Sequence, residues 1–265
     1  MKKPLPVGLV VEGNSTSSLI LRLPSLAEEL GPVKSKGFRV ARRITNFLRS
    51  GYPVATYEEL QETRLILVRV PDAVAPRVVE EICASELDFG AMCFALCETW
   101  LTSEVLEPLR KRGACTGTLI SGPNPQRAWF LAEGQSMFVR QLRRLIERNE
   151  ARVLEIGFGK KELYFAAELL ATAIPIPLFT AAQQALREAG ISANHVHALL
   201  EDMAAKMFKD FLNGSRVAWG GPLTTSLPET AEGNFRSLPG HSLKLARYIE
   251  EQLSLARRAV QERDK

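Results

Sequence analysis

VGLVVEGNSTS, residues 7–17, is the stretch from which the fold can be read. Its first five positions, Val7 to Val11, have the length and the valine-rich apolar composition of a buried strand. A polar turn follows, in which Asn14, Ser15, Thr16 and Ser17 are all good helix caps, and a helical stretch then runs toward Leu30. Strand, glycine-containing turn, helix is the local context that a dinucleotide requires. The start of the helix offers free N–H groups and a positive dipole end to the pyrophosphate, and glycine lets the backbone come close. Against the spacing G-x-G-x-x-G only Gly13 is present; Val11 and Thr16 hold the outer positions, and Glu12 adds a carboxylate where phosphates would lie. Gly13, Asn14, Ser15 and Thr16 are candidate phosphate-binding residues, and a capped helix start without a ligand is the competing reading.

Outward from this stretch, residues 31–35 (GPVKS) form a second short strand. A site that prefers NAD carries an acidic residue near this point, about 20 residues after the glycines, for the ribose hydroxyls. Here the segment reads VKSKGFRVARR, which offers Lys34, Ser35, Lys36 and Arg39 and no carboxylate. That cluster would accommodate a 2′-phosphate, so NADP is preferred over NAD; solvated basic residues are the alternative. Strand and helix signals then alternate. Helical spacing covers 38–50, strands are expected at YPVAT and at LILVRV (65–70), and Pro71 and Asp72 at the end of the latter are candidate cofactor contacts. A helix over 75–84, a strand at 92–96, a helix over 103–113, strands at ACTGTLI and RAWFLA, a helix over 136–149 and a strand at 151–156 complete the series. Such alternation predicts a mostly parallel sheet with right-handed crossovers.

Beyond Ile156 the texture becomes helical, with helices expected over 160–174, 178–189, 193–212, 229–238 and 242–263. The expected organisation is therefore α/β plus all-α: a Rossmann-like, dinucleotide-binding-type domain over 1–157 and a helical domain over 158–265. The chain has 265 residues, 46% hydrophobic and 24% charged, with net charge +4. The basic residues are dispersed, which gives nucleic-acid binding little support. Cys93 and Cys97, in MCFALC, lack C-x-x-C spacing and read as core thiols. Reduced thiols, no signal-peptide pattern and no stretch approaching the ~20 apolar residues of a membrane span point to the cytoplasm.

The segments VGLVVEGN, LILVRVPDAVAPRVVEEI, SEVLEPLRKRGA, FLAEGQ, KKELYFAAELLAT, ALREAGI and GGPLTTSLPET, in this order and spacing, resemble a bacterial family of Rossmann-like NADP oxidoreductases of undefined function. That family is similar to pyrroline-5-carboxylate reductase and to 6-phosphogluconate dehydrogenase-like enzymes, and the resemblance covers nearly the whole chain. It implies a helical substrate and dimerisation domain, a homodimer, and a cleft lined by the first helix of that domain. The chain departs from the family pattern at several polar positions. ISGPNP stands where the pattern has His-Pro, and Tyr164-Phe165-Ala166-Ala167 where it has Tyr-His-Ala-Ala. Gly221-Pro222 is kept, but Thr225-Ser226-Leu227 replaces Arg-Gly-Asp and Asn234 falls at a His position.

Hydride chemistry needs a cofactor to carry the hydride and a protein group to handle one proton. Lys160, Lys161 and Tyr164 are candidates by position, with Lys161 and Tyr164 preferred; an exposed helix start with a packed tyrosine is the structural alternative. His195 and His197, two apart on a helix, point in different directions, which argues against a shared metal. Two functions follow. One is an NADP-dependent oxidoreductase acting on a small polar substrate. The other is a noncatalytic protein that keeps the fold for dimerisation or partner binding after losing its cofactor site.

Overall fold

The structure is a computed structural model that describes residues 7–12, 24–148, 150–213, 242–249 and 251–252. The strand expected after the N-terminus forms as β1, Val7–Val11, and all five of its residues are buried. Burial on both faces is the mark of a central strand in a covered parallel sheet, which explains why the run is continuously apolar rather than alternating. A short helix α1, Pro24–Glu29, leads into β2, Leu30–Lys34; α2, Phe38–Leu48, leads into β3, Tyr52–Val54. After a 3-10 turn at Glu58–Leu60 come β4, Leu65–Arg69, α3, Ala75–Cys83, and β5, Cys93–Cys97. The expected helix over 103–113 is a 3-10 turn, Ser103–Leu106, continued by α4, Glu107–Lys111. Strands β6, Cys115–Ser121, and β7, Trp129–Gly134, helix α5, Ser136–Glu147, and β8, Arg152–Ile156, finish the sheet.

The eight strands lie in the order β3-β2-β1-β4-β5-β6-β7-β8. Every neighbouring pair is parallel except β6 and β7, which are antiparallel with Thr118 opposite Glu133. The segment between them, 122–128, contains no helix and is too short for a parallel crossover, so β7 must return alongside β6. Side chains along each strand alternate between two cores. One gathers Leu9, Leu67, Ala95 and Leu119 beneath Phe138 and Leu142 of α5; the other gathers Val10, Ile66, Val68 and Phe94 beneath Val78 and Ile82 of α3 and Leu109 of α4.

The chain divides into two compact units, Met1–Ala167 and Glu168–Lys265. The division falls inside α6, Lys161–Ala171, whereas the change of sequence texture put the junction at 157/158. Within the second unit, α7 spans Pro175–Glu188 and α8 spans Ala193–Leu212. Pro175 and Pro177, expected as separators before a helix at 178, instead begin α7, because the first helical turn needs no N–H from proline. Residues 243–249 and 251–252 are helical; the helix expected over 229–238 and the remainder of the one expected to 263 lie outside the described residues.

The described helices of the second unit expose much apolar surface. α7 buries none of its residues and α8 only Val196, while Leu170, Ile176, Met207, Phe208 and Leu212 are exposed. The run Lys161–Glu188 is, by length and hydropathy alone, long and apolar enough to cross a membrane. This corrects the expectation that no stretch approaches such a length. As folded, the run breaks after Ala171 and resumes at Pro175.

Candidate functional site

Ligands of doubly wound sheets bind beyond the carboxyl ends of the strands where the strand order reverses, here between β1 and β4. Glu12 leaves the end of β1, with its N–H donating to the Arg69 carbonyl at 3.2 Å. Its carboxylate meets Arg77 of α3 at 2.7 Å; Arg77 also pairs with Glu81, whose other oxygen accepts from the Tyr57 hydroxyl at 3.0 Å. Burial, and then the neighbouring Glu81 and Glu12 charges, raise the Tyr57 phenol well above its ordinary value. Arg77 offsets part of the negative charge that conflicts with a phosphate at this turn, since it is shared between Glu12 and Glu81. The candidate residues Gly13, Asn14, Ser15 and Thr16 lie outside the described residues.

The end of β2 sorts its four candidates differently. Ser35 is buried, and its hydroxyl donates to the Val11 carbonyl at 2.7 Å, which ties the ends of β1 and β2 together. Lys34 is half-buried; its ammonium donates to the Ser35 carbonyl at 2.6 Å and lies 4.8 Å from the Tyr57 ring centre. Lys36 and Arg39 are exposed. The segment 34–39 therefore carries three cations and no acid beside the end of β1, whereas Ser35 is committed to the fold.

Beyond β4 and β5 the structure assembles a denser polar group. Pro71 is exposed and opens the turn into α3. Asp72 accepts from the Thr99 hydroxyl at 2.6 Å and from the Trp100 N–H at 3.0 Å. Glu98 adopts a left-handed conformation, φ 51°, which is uncommon for a residue with a side chain and is often found where function dictates geometry. Its carboxylate accepts from the Ser121 N–H at 3.0 Å and from the Ser121 hydroxyl, and its carbonyl accepts from Arg69 at 3.1 Å. The buried Nε of Arg69 has no partner among the described residues.

Lys161 closes this group from α6. It is fully buried, 0% exposed, and its ammonium donates to the carbonyls of Thr99 at 3.0 Å and Leu101 at 2.5 Å. The structural alternative of an exposed helix start holds only for Lys160. Burial pulls the Lys161 pKa down to about 8, opposed by the charges of Glu133 and Asp72. Three residues on, Tyr164 is half-buried, with its ring 5.8 Å from that of Phe165. Phe165 in turn stacks on the exposed Trp100 at 4.6 Å and lies 5.2 Å from the Lys161 ammonium. Sequence reasoning missed Glu98, Thr99, Trp100 and Glu133. Glu133 carried a legible signal as a charged residue inside the apolar strand WFLAEG; the others had none.

His195 faces the Ser192 hydroxyl at 2.7 Å and His197 faces Gln183 of α7 at 3.4 Å, so the two rings diverge. Among the described residues no cluster of three or more metal-ligating side chains forms.

The fold is a doubly wound, Rossmann-type sheet followed by helices, the architecture of NADP oxidoreductases and imine reductases. Among solved structures, a candidate NADP oxidoreductase of Bacteroides fragilis superposes with a TM-score of 0.73 at 14% identity, over 96% of this chain and 98% of that one. An imine reductase from Aspergillus terreus, in complex with NADPH4 and a dibenzazepine, gives 0.71 at 14% identity over 98% and 95%. Protein TM1727 of Thermotoga maritima gives 0.66 at 17% identity over 98% and 100%. No family model and no curated protein matches the sequence. Likeness at these identities establishes the shared fold.

Proposed function

We propose that the protein is an NADP-dependent oxidoreductase that transfers hydride to or from a small polar substrate. The observation that carries this reading is the polar group at the carboxyl ends of β4 and β5, where a buried lysine, its pKa lowered to about 8 by burial, sits behind Asp72, Thr99 and Trp100. The described residues at the ends of β2 and β4 are compatible with the cofactor. Lys34, Lys36 and Arg39 would receive a 2′-phosphate, Arg77 offsets part of the Glu12 charge, and Pro71 and Asp72 would line the nucleotide near its reactive end. When bound, NADP supplies the hydride.

Proton handling falls to α6. Tyr164 is the member of the candidate pair that an external molecule can reach, so it exchanges the proton with substrate. Lys161, sealed behind the Thr99 and Leu101 carbonyls, contributes its positive charge to the crevice. That sealed position also favours a second reading, a noncatalytic protein in which Lys161 only knits the fold. The exposed apolar faces of α7 and α8 support a homodimer in either case, and the reduced thiols support a cytoplasmic location.

Calorimetric titration with NADPH and, in parallel, NADH tests the proposal. Binding of NADPH with much weaker binding of NADH is expected, and Lys36→Ala with Arg39→Ala should erase the difference. Well-folded protein that binds neither moves the assignment to the noncatalytic reading. If Glu12→Ala then binds NADPH where the parent does not, the turn is a decayed cofactor site.

A further inference from the structure

Among the described residues of the first unit, Glu133 is a charged side chain buried within the sheet. It sits in β7, 1% exposed, opposite Thr118 of β6, which is also 1% exposed. Its Oε1 accepts two hydrogen bonds, from the Gly159 N–H at 3.0 Å and from the Ser103 hydroxyl at 2.9 Å. Gly159 belongs to the turn that launches α6 and therefore Lys161. Ser103 follows the Thr99–Leu101 carbonyls that grip Lys161. One carboxylate oxygen thus fastens both sides of the lysine's enclosure.

The second oxygen has a different situation. Glu133 Oε2 and Thr118 Oγ1 are both buried and have no partner among the described residues. Residues directly opposite in an antiparallel pair project from the same face with their Cβ atoms about 5 Å apart. Lys161 has a third N–H beyond the two it spends on carbonyls, and it forms no ion pair with Glu133 within 4.0 Å. A buried carboxylate oxygen and a buried hydroxyl, both without partners among the described residues, lie on elements that also enclose the Lys161 ammonium, and together these three groups supply the partners an internal water needs.

We propose that Glu133 is the positioning residue of Lys161, and that its Oε2 and the Thr118 hydroxyl hold a buried water that joins carboxylate to ammonium. Other groups act on the same ammonium: Asp72 beyond β4, Cys97 at the end of β5 and Glu162 on α6 itself. Of the carboxylates among them, Asp72 is occupied by Thr99 and Trp100, and Glu162 is exposed. Glu133 is the buried one, and it is anchored to both elements that enclose the lysine. The inference deepens the proposed role of Lys161 as the cation behind the crevice, but it concerns an interaction that exists without cofactor or substrate.

The test is a pH titration of the whole protein labelled with [13Cε]lysine, followed by NMR, with the Lys161 signal assigned through Lys161→Arg. Glu133→Gln keeps an acceptor for Gly159 and Ser103 but removes the charge; the Lys161 proton affinity should fall at least tenfold. Ser103→Ala removes a hydrogen bond and keeps the charge; its shift should be under threefold. An unchanged midpoint in Glu133→Gln, or equal shifts in both variants, overturns the proposal. Should Glu133→Gln fail to fold, Thr118→Val decides. Loss of the bridging water should move the Lys161 midpoint and lower stability, whereas an unmoved midpoint with raised stability means the hydroxyl held nothing. A titration that behaves as expected in a protein that binds no NADPH would leave this inference standing and remove only the proposed oxidoreductase.

Discussion

Lys161 shows how one residue changes meaning between sequence and structure. In GKKELYF two adjacent lysines stand at the start of an apolar helix, and nothing local separates them. Only the fold buries Lys161 and leaves Lys160 in solvent. The buried amine has a folded-state pKa of about 8, below its unfolded value near 10.5. Between those values the unfolded chain binds the extra proton, so folding stability rises with pH across the window and is lower once pH falls through about 8. Relative to Lys161→Met, the parent protein should gain up to about 1.4 kcal/mol per pH unit between pH 8 and 10.5. Denaturant unfolding at pH 7.5, 9 and 10.5 measures this; parallel stability profiles for the two proteins would show that burial does not displace the proton.

At the scale of elements, the antiparallel strand β7 is the departure that builds the site. It places Glu133 opposite Thr118, and its closeness depends on small residues: Gly117 of β6 pairs with Gly134 of β7 beneath Phe138 of α5. A Cβ on Gly117 would fall 2.3 Å from the Phe138 ring and 2.5 Å from the Glu133 carbonyl oxygen. The ring is fully buried and has nowhere to move. Gly117→Ala should therefore cost about 1–3 kcal/mol or more, and it should also disturb the Lys161 signal through displacement of β7. A Gly117→Ala protein with unchanged thermal stability would mean that this junction is loosely packed. The hairpin was legible in principle, since SGPNPQ between two strand-like runs leaves no room for a crossover helix. Strand alternation with helices elsewhere in the chain favoured the parallel expectation, and chain length between the strands overruled it.

At the scale of the molecule, the described helices of the second unit leave many large apolar side chains exposed. Leu170 and Leu212 are 62% and 66% exposed, and a groove of about 830 Å³ between α7 and the 243–249 helix is lined by Ile176, Ala181, Leu243 and Tyr248. Sedimentation velocity at micromolar concentration should give a dimer, and Met207→Asp with Phe208→Asp should give a monomer with the first unit still folded. A parent protein that sediments only as a monomer would end the homodimer proposal. The strand order 3-2-1-4-5-6 was implicit in the succession of strands and helices, because right-handed crossovers leave few ways to arrange them.

The sequence by itself determined the periodicities: the buried strands, the amphipathic helices, the basic end of β2 and the change to helix after β8. These are local, since hydrophobic spacing and turn chemistry act within a few residues along the chain. The tertiary structure decided which polar residues meet. Asp72 reaches Thr99, Arg77 reaches Glu12, and Lys161 reaches carbonyls sixty and more positions earlier, all across elements whose side chains carry no mark of their partners. A charge inside an apolar run can be seen in sequence to need compensation; burial of Glu133 within the packed sheet is what selects Ser103, Gly159 and Lys161 to provide it.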